Sequence, residues 1–430
     1  MPFEQLKITF LKMKYTFLPL YILFISSTIT AQNYTYLKAD RLFDGEVIHE
    51  KWGVLIKDNI IETVDNQSVI EKNLPQNAKT IDLKNATLLP GLIEGHSHLL
   101  LHPYNETNWD DQVLKESRAE RVARATVHAE RTLKAGFTTV RDLGTEGADY
   151  DDVGLKTAIE KGVIKGPRMI VATRALIATG SYAPKGFSAD ITIPQGAEEA
   201  DGIDNLTQAV RRQIGKGADV IKIYADYRWG LMGEAKPTYT IDEIKRIVEV
   251  AASSGRPTVA HAGSAEGMRR AILGGCETLE HGDAGTPEIF KLMASNNVCL
   301  CPTLAAGDAV SQYRGWKKGI DSEPERIKNK RVTFKQALDA RVKICFGGDV
   351  GVFPHGDNAR ELEMMVDYGM TPLETLKSAT STNADAFHVA NRVGRLRKGL
   401  LADIIAVEGN PIEDIKAIRK IVLVMKDGKQ

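Results

Sequence analysis

The sequence predicts an α/β protein: a (β/α)8, TIM-like barrel carrying a small β-sandwich assembled from both ends of the chain. Three observations predict it. Short apolar strand-like runs alternate with amphipathic helical runs from about Pro90 to His388, β-patterned segments flank that region, and 430 residues suffice for both parts. The composition, 43% hydrophobic and 26% charged, is that of an ordinary globular chain. Lys plus Arg equals Asp plus Glu at 56 each, so no net field points to a nucleic acid or an anionic membrane. The expected partner is a small molecule or short peptide, and self-association into a homo-oligomer stays open.

The first element is a targeting segment over residues 1–31. Lys12 and Lys14 precede an apolar stretch from Tyr15 to Ile25, followed by the small residues "SSTITA", the layout of a secretory signal cleaved near Ala31. The apolar run is short for a bilayer span, so no stable membrane span is expected after cleavage, although a retained N-terminal anchor is the alternative. The protein is therefore expected to be exported, periplasmic or secreted. Its cysteines do not read as disulfides: Cys276, Cys299, Cys301 and Cys345 all fall in apolar strand-like segments, where a thiol serves as a small core hydrophobe.

Residues 33–88 follow as short β segments ("YTYLKADRLFDG", "WGVLIKDNIIETVD", "AKTIDLKNATLLP") with turns at Asp44-Gly45, Lys57-Asp58-Asn59 and Lys84-Asn85. Residues 391–430 match them with "GLLADIIAVEGNP" and "IRKIVLVMKDGKQ", so the two flanks are expected to form one sandwich. Between them, residues 89–390 carry the barrel. The helical run "AERVARATVHAERTLKAG" stops at Gly136 and the strand "FTTVRDLG" follows; later come "ADVIKIYAD", helix 241–254 before "PTVAHAG", helix 264–274 before "TLEHGD", helix 287–295 before "VCLCPT", and helix 328–340 before "KICFGGDVG". Eight such repeats in about 290 residues suit a closed parallel barrel. A doubly wound open sheet is the alternative, but no Gly-x-Gly-x-x-Gly follows the first strand of this region.

Chemistry enters at the ends of these strands. In "LLPGLIEGHSHLL", side-chain alternation puts His96 and His98 on one face, about 7 Å apart at the backbone, where both imidazoles can converge on one cation. Lys222 ends "DVIKIY", His261 ends "TVAHAG", His281 ends "TLEHG" and Asp349 ends "CFGGDVG", and barrel active sites are assembled at the carboxyl ends of the strands. Singly, each has an ordinary structural explanation: a snorkelling rim lysine, a satisfied core histidine, a helix N-cap. Together, imidazole nitrogens and a carboxylate describe a site for Zn2+ or a similar ion with positions open for water. A lysine in such a set requires the neutral amine, which takes up CO2 to become a carbamate with two oxygens able to bridge two ions.

At this point the chain resembles the metal-dependent amidohydrolase superfamily, in its imidazolonepropionase-like and Xaa-Pro dipeptidase-like branch. The segments "LLPGLIEGHSH", "AGFTTVRDLG", "VIKIYA", "VAHA", "LEHG", "GGDVG" and "GLLADIIAVEGNP" match that branch in order, over roughly residues 35–430. The resemblance implies that His96, His98 and Asp349 bind one divalent metal, that His261 and His281 bind a second, and that a carbamylated Lys222 bridges both, with zinc the expected ion. Asp349 would act as general base and then general acid in cleaving a carbon–nitrogen amide bond. The expected substrate is a dipeptide or an N-acyl amino acid. Two alternatives compete: a mononuclear enzyme opening a cyclic amide, which has no use for a bridging lysine, and a catalytically silent barrel that only binds. Loops after the strands are expected to line the pocket, with Tyr224, Tyr227, Arg228 and His355 as candidate substrate contacts and Arg228 suited to a carboxylate. His49, His102, His128 and His388 are read as structural, His102 lying just past the first barrel strand.

Overall fold

The computed structural model describes residues 33–188 and 190–430; the expected signal segment over 1–31 lies outside them. Asn33–Gln430 form one compact unit. Its centre is built from parallel strands that are buried on both faces and hence apolar nearly throughout. Leu92–Ser97, Phe137–Asp142 and Arg168–Val171 make a three-stranded parallel array. Leu176–Ile177, Ile221–Tyr224, Thr258–Ala262, Thr278–His281 and Cys299–Cys301 follow one another in a second parallel array, with the short Glu198–Glu199 strand at its edge.

The two arrays meet on both sides without forming one continuous sheet. On one side the segment 344–350 links them through single parallel bridges, Ile344 to Leu300 and Val350 to Ser97. On the other, the amides of Asp219 and Val220 donate to the Val171 carbonyl at 2.8 and 3.3 Å. The alternating α/β architecture is as expected, but "KICFGGDVG" is not a regular strand. The reason is local: Gly347 lies so close to its neighbours that a Cβ there would sit 2.3 Å from Cys301 Sγ and 2.8 Å from the His96 nitrogen, and Asp349 turns into the left-handed region at φ 61°.

Helices cover the arrays where the sequence placed them, at Ile241–Ala252, Ala265–Gly274, Pro287–Ser295 and Glu325–Asp339. The first opens on a reciprocal capping box between Thr240 and Glu243, which satisfies two otherwise free amides. Their apolar faces and the strands share a core containing Phe137, Ile223, Leu279, Phe290 and Phe346. The four cysteines are buried free thiols.

Both flanks of the chain join one seven-stranded sheet, where the sequence suggested a sandwich. Lys79–Pro90 pairs in parallel with Tyr34–Phe43 and antiparallel with Ile404–Glu408, which in turn pairs with Ile421–Met425. Leu37, Val54, Leu88, Ile404 and Leu423 pack together in its core. The Lys79–Pro90 strand then passes through Gly91 directly into the strand bearing His96, so the small sheet anchors the start of the central array.

Asn383 locks that start to the 344–350 segment. Its side-chain amide donates to the carbonyls of Ile93 and Phe346 at 2.9 and 2.8 Å and accepts from the Phe346 amide at 3.1 Å, all of it buried. Asn383→Ala removes three buried hydrogen bonds, leaving the Phe346 amide only a long 3.4 Å bond to the Ser378 carbonyl, and is expected to lower the unfolding free energy by about 2–4 kcal/mol in urea titrations.

Candidate active site

His96, His98, Lys222, His261, His281 and Asp349 all line a single cavity of about 900 Å³ at the carboxyl ends of the strands. Adjacent rings form a chain across it: His98 to His96 at 5.3 Å between centroids, His96 to His281 at 5.3 Å, and His281 to His261 at 4.5 Å. Asp349 Oδ1 lies 3.2 Å from His98 Nε2 and 3.5 Å from His96 Nε2. Donor atoms of His96, His98 and Asp349 all fall within 4.8 Å of one another, a geometry able to hold a metal ion.

Partners behind these rings decide which nitrogen faces the cavity. His96 Nδ1 donates to Glu280 Oε2 at 2.8 Å and His98 Nδ1 donates to the Gly144 carbonyl at 2.9 Å, so each presents Nε2 inward. His281 is held through Nδ1 by Thr303 Oγ1 at 2.7 Å. His261 stacks on Tyr224, with centroids 4.7 Å apart, and its Nε2 is 3.6 Å from Asp226. Asp226 is itself fixed by the amides of Gly263 and Ser264.

Buried carboxylates brace the same rings. Glu280 is fully buried and bidentate in function, accepting from His96 on one oxygen and from Arg141 Nη2 at 2.8 Å on the other. Burial raises its pKa, but Arg141 and His96 outweigh that and hold the carboxyl below the usual carboxylate range. Glu94 accepts from the amides of His96 and Gly348 and from the Asn358 side chain, tying both ligand-bearing segments together. Burial pushes its pKa up to about 7.

The electrostatics favour a cation. Burial, followed by the Lys222 charge, drives His96 down to about 4. For His98 burial acts the same way, but the hydrogen bond and charge of Asp349, with Glu146 and Asp142 behind, hold it at about 9. Asp349 itself falls to about 2, because the charges of His96 and His98 overcome its burial. The pull that keeps a proton on His98 is one that a bound dication would exploit in the proton's place.

Lys222 is only 1% exposed, and among the described residues its Nζ has no hydrogen-bond or ion-pair partner. Burial lowers its pKa against the opposing charges of Glu280 and Asp349. The His261–His281 pair has no carboxylate or thiolate completing a three-residue ligand group among the described residues. An amine so buried, without a hydrogen-bond or ion-pair partner and beside a histidine pair short of a third ligand, has the chemistry to take up CO2 and offer carbamate oxygens to a metal ion.

Four residues around the cavity are non-glycines in the left-handed region: Glu146, His281, Thr303 and Asp349. Each such conformation costs about 1–3 kcal/mol and marks a position where orientation is over-determined.

Residues 87–430 match the model of the Amidohydrolase family. The chain belongs to the amidohydrolase family. An ochratoxinase of Aspergillus niger is 31% identical over 419 residues, spanning 90% of this chain and 84% of its own length. A crystal structure of that ochratoxinase superposes with a TM-score of 0.77 at 28% identity, covering 92% of this chain and 95% of that one. A Xaa-Pro dipeptidase with methionine bound in its active site superposes with a TM-score of 0.79 at 33% identity, covering 92% and 98%. An imidazolonepropionase of Bdellovibrio bacteriovorus is 24% identical over 404 residues, 89% of each chain. This amidohydrolase is thus a hydrolase of carbon–nitrogen bonds from a family that is generally metal-dependent.

The structure sorts the remaining candidates. Tyr224, Tyr227 and Arg228 line the cavity, Tyr224 buried and Arg228 exposed at the rim. His355 does not: it lies behind the wall, stacked on His128 at 4.3 Å, with Nε2 donating to the Leu101 carbonyl at 3.0 Å. His102 has both ring nitrogens engaged, by Glu106 at 3.1 Å and Glu116 at 2.8 Å, a structural role. The sequence reading missed Glu94, Glu280 and Arg141, and also Glu146, which lies at the carboxyl end of the Phe137–Asp142 strand where ionisable groups were being sought.

Proposed function

We propose that this amidohydrolase cleaves the amide bond of a small substrate, a dipeptide or an N-acyl amino acid, at a site holding two divalent ions, zinc by preference, bridged by a carbamate on Lys222. The observation that carries the reading is the convergence of four histidines, Asp349 and an unpartnered buried lysine in one cavity. The similarity to a Xaa-Pro dipeptidase and to an ochratoxinase supports it. In this reading residues 89–390 act as a closed (β/α)8 barrel, the two-ended sheet as a sandwich packed on it, and residues 1–31 as an export signal that delivers the enzyme to the periplasm or the exterior.

His96, His98 and Asp349 would hold one ion, His261 and His281 the other. When bound, the ions lower the pKa of water and polarise the scissile carbonyl. The chain's own part is proton handling and orientation. Asp349, ionised down to about pH 2 and hydrogen-bonded to His98, accepts the proton of the attacking water and returns it to the departing nitrogen. Glu280, Gly144 and Thr303 fix the rings so that the ligand nitrogens do not turn away. Tyr224, Tyr227 and Arg228 face the substrate at the mouth.

Metal analysis of the purified chain alongside a panel of dipeptides, N-acyl amino acids and cyclic amides tests this. Two equivalents of metal with turnover of linear amides are expected. One equivalent with turnover of cyclic amides alone would replace it with the mononuclear ring-opening reading, and metal binding without any turnover with that of a binding protein.

A further inference from the structure

One wall of the cavity carries a charge that the proposed reaction does not use. Glu146 is 2% exposed, lines the cavity and adopts a left-handed backbone at φ 48°. Arg121 holds that backbone, donating Nη1 to the Glu146 carbonyl and Nη2 to the Thr145 carbonyl, both at 2.8 Å. The carboxylate itself has no ion-pair partner among the described residues. Its donors are neutral: Trp109 Nε1 at 2.8 Å and the Tyr182 hydroxyl on Oε2, and the Tyr224 hydroxyl on Oε1 at a long 3.3 Å. Because a carboxylate accepts about four hydrogen bonds, Oε1 keeps room for a further, stronger donor.

The rings that hold Glu146 also shape the space in front of it. Tyr182 packs edge-on against Trp109 at 4.9 Å and against Tyr227 at 4.7 Å, and lies 4.7 Å from Tyr224. Aromatic faces around a buried carboxylate attract a cation twice over, through ring quadrupoles and through formal charge. Two cations of the chain lie over these rings, Lys222 Nζ 5.7 Å from the Tyr224 centroid and Arg228 Cζ 5.8 Å from the Tyr227 centroid at the exposed rim, and neither pairs with the Glu146 carboxylate.

Position supplies the chemistry. A point one carbon out from Gly144 lies 3.3 Å from Glu146 Oε1 and 3.8 Å from His98 Cε1, so the carboxylate stands beside the ligand set. In an aminoacyl substrate the α-amine is about 2.5 Å from the scissile carbonyl carbon by ordinary bond lengths. A substrate whose scissile carbonyl is brought to the His96, His98 and Asp349 cluster would carry its α-ammonium into the cavity that Glu146 also lines.

We propose that Glu146, with Trp109, Tyr182 and Tyr224, is the recognition site for a protonated α-amine, which makes the substrate an aminoacyl amide with a free N-terminus. The assignment rests on the amide-hydrolase reading above and chooses within it: an N-acyl group would leave the Glu146 charge buried and unpaired.

The test compares kcat/KM of the metal-loaded chain for a dipeptide, its N-acetyl form and its des-amino form from pH 6 to 9.5. The native chain is expected to favour the free amine by about 30-fold or more, and the ratio is expected to fall through about pH 8 as the α-amine loses its proton. Group contributions from the enzyme cancel in that ratio. Glu146→Gln is expected to shrink the preference to within about 3-fold, mainly through KM. Equal or better cleavage of the N-acetyl form by the native chain would overturn the assignment while leaving amide hydrolysis standing. A uniform loss on all three substrates in Glu146→Gln would assign the residue a structural role instead. Calorimetric titration of the native chain with butylammonium and with uncharged butanol gives a reading independent of turnover. Tighter binding of the ammonium by about 10-fold or more supports the site, and equal binding sinks it even if the chain cleaves amides.

Discussion

Lys222→Ala is expected to lower kcat/KM for the best amide substrate by about 10³-fold or more and to release one of two metal equivalents, read by elemental analysis after desalting. The magnitude follows from what the side chain does in the proposed site. His261 and His281 supply two nitrogens, and no carboxylate or thiolate among the described residues completes a three-residue group with them. Without the Lys222 group that half of the site loses its link to His96, His98 and Asp349. The substitution removes a buried amine whose contact is the Tyr224 ring 5.7 Å away, with no hydrogen bond or ion pair to lose, so folding is not expected to suffer. A melting temperature within a few degrees of native would separate lost ligation from lost structure. Because alanine leaves a space lined by the same residues, added acetate or propionate is expected to restore part of the activity by placing a carboxylate where the proposed carbamate would stand. Full activity in the alanine variant without any additive would rule out the bridged site.

Asp349→Asn is the second large effect. The amide cannot accept the proton of the attacking water, and a positioned general base contributes about 10²–10⁴-fold, so kcat is expected to fall by that order with little change in KM. The sign of the pH dependence is fixed by the surroundings. Asp349 is held down to about pH 2, so its ionisation does not limit the reaction near neutrality. An acid limb above that value belongs to other groups. Glu94 acts instead by position, since its carboxyl ties the His96 and Gly348 amides together, and Glu94→Gln is expected to lower the rate through misplaced ligands.

The six candidate ligands were legible because each lies in or just after an apolar run that points at the same end of the fold, His96, Lys222, His261 and His281 within strands and His98 and Asp349 just beyond regular pairing. The residues that hold them were not, since their partnerships span the chain: Arg141 meets Glu280 139 positions away, and Glu94 meets Gly348 254 positions away. No local pattern announces such a pair. The helix Leu304–Tyr313 also escaped the reading: its first amides are satisfied not by the N-cap Thr303, whose hydroxyl is engaged by His281, but by Glu361 from far along the chain. His355 misled for the opposite reason. Its loop neighbours the site in sequence, but its ring turns to stack on His128 behind the wall. Irregularity in the 344–350 segment was foreshadowed by the paired glycines, whose role is close approach to His96 rather than strand extension.

The strand Lys79–Pro90, which leads into the first ligand-bearing strand, is braced on one flank by Ile404–Glu408, and those residues leave the ribosome only after the whole catalytic region has been made. A nascent chain therefore carries an unfinished edge along residues 86–90, just ahead of the strand that bears His96, until the last part of the chain is made. Completion of the sheet behind the catalytic centre is therefore post-translational by construction.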